Sequence, residues 1–152
     1  MDMRERISAA LKGAMKTREA ARLSTLRLIN AAIKDKDIEL KGASGDSVVG
    51  DAEVMAILAR MVKQRQESAR AYEEGGRLDL AERERLEIGV IEEFLPRQLS
   101  EDEVRDAVDR TIADTGASSI RDMGKVMGAL KSKYAGQMDF GSVGPMVKER
   151  LG

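Results

Sequence analysis

The chain has 152 residues, of which 26 are Lys or Arg and 27 are Asp or Glu, for a net charge of −1. The absence of Cys removes disulfides, thiolate nucleophiles and zinc ribbons, and the absence of His removes imidazole bases and nearly every transition-metal site. A near-neutral total also argues against wholesale capture of nucleic acid or an anionic membrane, so such binding has to come from a local patch.

Only 3% of residues are aromatic, against 35% charged, with two Pro and nine Met. That is the composition of a helical chain whose core is Leu, Ile, Val, Ala and Met. Met3, Ile7, Ala10, Leu11, Ala14 and Met15 recur at helical spacing and predict a first helix over about residues 2–16. Leu23, Leu26, Ile29, Ile33 and Leu40 mark a second, running unbroken from Thr17 to Lys41 and stopped by Gly42. The Gly- and Ser-rich stretch from Gly42 to Gly50 reads as a mobile connector, with Asp51 placed to cap the next helix. Val54, Leu58, Met61, Val62, Ala69 and Tyr72 trace this third helix to Glu74, where Gly75-Gly76 supplies a left-handed stop. A fourth runs from Arg77 to about Leu95 and buries Ile88, Ile91, Phe94 and Leu95.

Pro96 ends that helix, and Ser100-Glu101-Asp102-Glu103 has the form of a capping box. The domain boundary falls between them, giving domains 1–96 and 97–152. Val104, Val108 and Ile112 mark a fifth helix stopped at Gly116. Met123, Val126, Met127, Leu130 and Tyr134 mark a sixth opened near Ser119. Asp139 caps a seventh that buries Val143, Met146, Val147 and Leu151, with Pro145 in or near its first turn. The fold class is all-α: about four helices, then a small three-helix bundle. Met1-Asp2-Met3-Arg4-Glu5-Arg6 mixes acid with base and no apolar run is long enough to span a bilayer, so the expectation is a cytoplasmic protein with no membrane partner.

The neutral total hides an uneven distribution. Residues 1–41 carry ten basic and six acidic side chains, residues 42–99 eight and twelve, and residues 121–152 six and three. Such imbalance is ordinarily a solvated face, and becomes a site only with a second feature. The sixth helix has one: Gly124 and Gly128 lie inside a helical run, where each costs about 1 kcal/mol relative to Ala. At about 100° per residue, Gly124, Gly128 and Lys131 share a face turned away from the core stripe, bordered by Lys125 and Ser132. A helix face stripped of side chains and flanked by Lys admits another backbone, either a phosphodiester or a packed helix. Arg22, Arg27 and Lys34 either extend a basic track along the second helix or form a solvated face paired with acids of the third and fourth. Lys63, Gln64 and Arg65 are read as structural. Glu84, Glu87, Glu92 and Glu93 have a spacing that brings carboxylates together, but helix-surface carboxylates need further evidence to be read as a metal or acid–base site.

Asp122-Met123-Gly124-Lys125-Val126-Met127-Gly128-Ala129-Leu130, with Gly136-Gln137-Met138-Asp139 and the closing Val143 and Val147, resembles the C-terminal GatB tail domain of aspartyl/glutamyl-tRNA amidotransferase. Upstream, Arg22-Leu23-Ser24-Thr25-Leu26-Arg27-Leu28-Ile29, Met61-Val62-Lys63-Gln64-Arg65, Gly76-Arg77-Leu78-Asp79-Leu80-Ala81 and Phe94-Leu95-Pro96-Arg97-Gln98-Leu99-Ser100 are similar to YqeY-type proteins, which join a helical domain to that tail. The second likeness covers essentially the whole chain, the first its last third. The resemblance implies a tail that helps hold the tRNA body during tRNA-dependent amidation. It does not imply the chemistry, because the ATP, magnesium and glutaminase machinery lies in other domains and subunits of that complex. No cofactor is implied for this chain. Carried over by position, the RNA-facing residues are Gly124, Lys125, Gly128 and Lys131, with Lys133 added on charge. The neutral Gln137 departs from the basic residue expected there.

Three functions compete. The first is a tRNA-associated binding protein, with tRNA and the amidotransferase or other translation proteins as partners. The second is a helical protein–protein interaction module without RNA binding. The third is a carbon–nitrogen ligase in its own right, which would need an unseen carboxylate site, since no Gly-x-x-x-x-Gly-Lys-Ser/Thr loop is present.

Overall fold

The computed structural model describes residues 2–44 and 49–152. The elements are α1 (Met3–Thr17), α2 (Ala20–Ser44), α3 (Asp51–Glu74), α4 (Leu78–Glu92), α5 (Glu101–Thr115), a 3₁₀ turn (Ile120–Asp122), α6 (Met123–Lys133) and α7 (Phe140–Leu151). The fold is all-helical, with no strand among the described residues. The chain divides into two compact units, residues 1–96 and 97–152. The middle of the expected connector, residues 45–48, lies outside the described residues.

The first unit holds α1 to α4. Its centre is Ile7 of α1, Leu26, Ile29 and Ile33 of α2, Val54 and Leu58 of α3 and Ile91 of α4, each at most 2% exposed. α3 and α4 pack back to back through Gly75-Gly76. Gly76 takes φ +75°, the Gly76 N–H donates to the Glu73 carbonyl and the Arg77 N–H to that of Tyr72. These two hydrogen bonds satisfy carbonyls that a helix end leaves orphaned.

Several boundaries differ from expectation. α1 stops at Arg18, which adopts the left-handed conformation at φ 59° without being glycine, so α2 begins at Ala20 rather than Thr17. Gly42 does not stop α2, which continues to Ser44; glycine weakens a helix without being obliged to end it. Asp51 is not the cap of α3. Gly50 holds that position, its N–H donating to Glu53, while Asp51 Oδ1 accepts the Met3 N–H at 3.1 Å and satisfies an orphan donor of α1. α4 runs from Leu78 to Glu92, short of Leu95. Glu93, Phe94 and Leu95 donate to carbonyls three residues back in a tightened turn, since a residue before proline resists the α conformation. Phe94 and Leu95 are buried regardless, whereas Met15 is 54% exposed and lies off the core face of α1.

The second unit closes α5, α6 and α7 around Val108, Val126, Leu130 and Val147, each fully buried. Met123, Met127, Tyr134 and Met146 are partly buried and pack against this cluster. The capping box at Ser100 is formed: Ser100 Oγ accepts from the Glu103 N–H and the Glu103 carboxylate from the Ser100 N–H. The region near Ser119 forms the 3₁₀ turn, and the α-helical bonding starts only at Met123. Pro145 is the sixth residue of α7, past the first turn, and removes the N–H that would serve the Gly141 carbonyl. Both residues are exposed, so water reaches that group.

Candidate nucleic-acid interface

Much of the tail-like motif is accounted for by folding. Gly136, at φ +73°, makes the turn after α6. Its carbonyl accepts from the Gln98 side chain, and the Gln137 carbonyl accepts the Leu99 N–H at 2.9 Å. The neutral Gln137 is thus used through its backbone. Met138 is 4% exposed and belongs to the core, while Asp139 caps α7 by accepting from the Gly141 N–H and the Ser142 hydroxyl. Asp122 accepts the Ser118 N–H at 3.0 Å and ties down the turn that leads into α6. Val126, Leu130, Val143 and Val147 fill the interior.

Gly124 and Gly128 have no such account. Both are exposed, and a Cβ added at either meets nothing within 4 Å. Within residues 97–152, therefore, neither glycine is required by close packing, and neither has a positive φ that would exclude another residue. Lys125 and Lys131 are exposed beside them and make no ion pair among the described residues. Their helical positions, about 20° to one side and 100° to the other of Gly124, leave an open backbone strip between two cations. Lys131 also lies in the last turn of α6, where a cation is favoured by the helix dipole.

Lys133 is not part of that strip. It falls roughly 140–180° around the axis from the glycines, and its ammonium lies 5.6 Å from the centroid of the Tyr134 ring. Arg121, in the turn before α6, is exposed and makes no ion pair among the described residues. The sequence counts it as charge, and the 3₁₀ turn places it just ahead of α6.

In the first unit, Arg22 is drawn inward: it is half-buried and bonded to Glu93, with Glu19 at 3.9 Å. Arg65 donates to Glu87 at 2.9 Å and to the Met61 carbonyl at 3.2 Å, pinning α3 to α4 as a structural residue should. The adjacent Gln64 is exposed. Glu87 and Glu93 are thus engaged with arginines, and no group of three or more Asp or Glu among the described residues is arranged to hold a metal ion. No helix among them is long and apolar enough to cross a membrane.

Residues 4–151 match the family model of YqeY, described as Yqey-like protein. An uncharacterized protein of Schizosaccharomyces pombe is 31% identical over 94 residues, 62% of this chain and 72% of that protein. Two proteins named altered inheritance of mitochondria protein 41, mitochondrial, are also similar. That of Meyerozyma guilliermondii is 36% identical over 85 residues and that of Eremothecium gossypii 32% over 85. Each match covers 56% of this chain, and it spans 42% and 44% of those two proteins, less than half of their length.

Proposed function

The chain belongs to the YqeY-like protein family, and from that membership we propose that it is a tRNA-associated binding protein. In this reading residues 97–152 correspond to the GatB tail of the amidotransferase and residues 1–96 to the YqeY-type helical domain. The observation that carries it is the open strip of α6: two glycines that cost helix stability, relieve no contact within residues 97–152 and lie between lysines that make no ion pair among the described residues. Such a strip lets a phosphodiester backbone approach the helix closely while Lys125 and Lys131 neutralise phosphates as point charges. With two Tyr and two Phe in the chain, base stacking contributes little, so shape and backbone of a folded RNA are what is read. The role is accessory to tRNA-dependent amidation or translation and is exercised in the cytoplasm.

The test is binding to a total tRNA pool across a salt series, wild type beside Lys125→Glu, Lys131→Glu. Wild type is expected to bind with steep salt dependence, and the variant, its helicity unchanged, to bind roughly tenfold or more weakly at low salt. Absence of binding by wild type at low salt rejects this reading in favour of a protein-interaction module.

A further inference from the structure

The outer side of α2 carries Arg27, Ala31, Lys34, Ile38 and Lys41, spaced i, i+4, i+7, i+11 and i+14 along one face of a 25-residue helix. All five are exposed, and they lie well around the axis from the buried Leu26, Ile29 and Ile33. The other cations of α2 are engaged, Arg22 with Glu93 and Lys36 with Glu39. Arg27, Lys34 and Lys41 make no ion pair among the described residues. The acid one turn from Lys34 and Lys41 is Asp37, and it accepts hydrogen bonds from the two terminal guanidinium nitrogens of Arg4 at 3.1 and 2.8 Å. The remaining acids of the helix, Asp35 and Glu39, lie on its flank.

From this arrangement we infer that the outer ridge of α2 is a second RNA-contacting surface, a cationic track for an RNA phosphate backbone. The inference rests on the RNA-binding reading of α6. The three cations stand about 10.5 Å apart over about 21 Å of helix, a straight row suited to a linear polyanion. That spacing is close to the Debye length of about 10 Å at 0.1 M salt, so their fields reinforce one another at low salt and separate at high salt. Ile38 is the one large apolar side chain on the ridge, too little for insertion into a bilayer, which requires a continuous apolar face.

The experiment uses the full chain and the tRNA pool in a salt series, with circular dichroism to verify folding. One variant carries Arg27→Gln, Lys34→Gln and Lys41→Gln. A control carries Arg60→Gln, Arg70→Gln and Arg83→Gln, removing equal charge from exposed cations of α3 and α4 that also make no ion pair among the described residues. The ridge variant is expected to reduce the slope of log K against log salt by about 2–3, and the control by less than about 1. An unchanged slope in the ridge variant, or an equal reduction in both, overturns the inference and leaves RNA binding through α6 standing. If wild type fails to bind, both fall together.

Discussion

Gly116 and Gly124 illustrate two reasons for a glycine. Gly116 closes α5 at φ +69°, where a Cβ is strained whatever space surrounds it. Gly124 and Gly128 sit in ordinary helix with open space where a side chain would go. Gly124→Ala and Gly128→Ala are therefore expected to stabilise the protein, by about 0.5–1 kcal/mol each in urea denaturation. If the strip admits an RNA backbone, the same substitutions weaken tRNA binding, and stability and binding move in opposite directions. A gain in stability with undiminished binding would show that the glycines serve no approach.

Glu103 offers a pH-dependent counterpart. Bidentate hydrogen bonds from Arg97 at 3.0 and 2.9 Å, joined by the Ser100 N–H, lower its pKa from 4.5 to about 2. A depressed folded-state pKa adds stability above the ordinary carboxylate value and loses it as pH falls toward the folded one. Wild type should thus exceed Glu103→Gln in melting temperature at pH 6, with the gap closing between about pH 4.5 and about pH 2. A gap constant over that range would show that the pair does not set the cap's strength. The capping box is readable from Ser-x-x-Glu, but the Arg97 fork is not, because it depends on how the chain enters the helix.

At the scale of the helix, periodicity separates buried from exposed apolar residues with uneven success. Leu130 of α6 is fully buried, while Leu86 of α4 is 63% exposed. Leu130→Ala is expected to cost about 2–5 kcal/mol by chemical denaturation, for lost transfer energy plus the cavity left behind. Leu86→Gln should stay within about 0.5 kcal/mol of wild type. Equal effects would contradict the packing described for the two helices. Met15 illustrates the same limit, since a residue at the edge of an apolar stripe is covered only if a neighbouring helix reaches it. Stops behave alike: Gly76 and Gly116 end their helices through positive φ, Gly42 does not, and Arg18 turns the chain with no glycine to announce it.

Across the whole molecule, the two buried clusters share no residue, one assembled from α1 to α4 and the other from α5 to α7. The proposed function distributes over them in the same way, with the glycine strip on the second unit and the cationic ridge on the first. Both surfaces consist of groups that pair with nothing among the described residues. That they remain so could not be judged from charge counts, which assign the same weight to Arg22, now bonded to Glu93, as to Arg27.

The sequence by itself determined the all-helical class, the seven α-helices of the described residues, most of the core and the family, because helical periodicity, capping residues and motif identity are local properties of the chain. It also located Gly124, Lys125, Gly128 and Lys131 as a face distinct from the core, since angle around a helix follows from residue number. Tertiary structure alone decided which charges pair, that Asp51 serves α1 rather than α3, and that the glycine face meets no other helix of its own unit. Those outcomes depend on which helices come together and how far each side chain reaches, and neither is encoded in the spacing of residues along one helix.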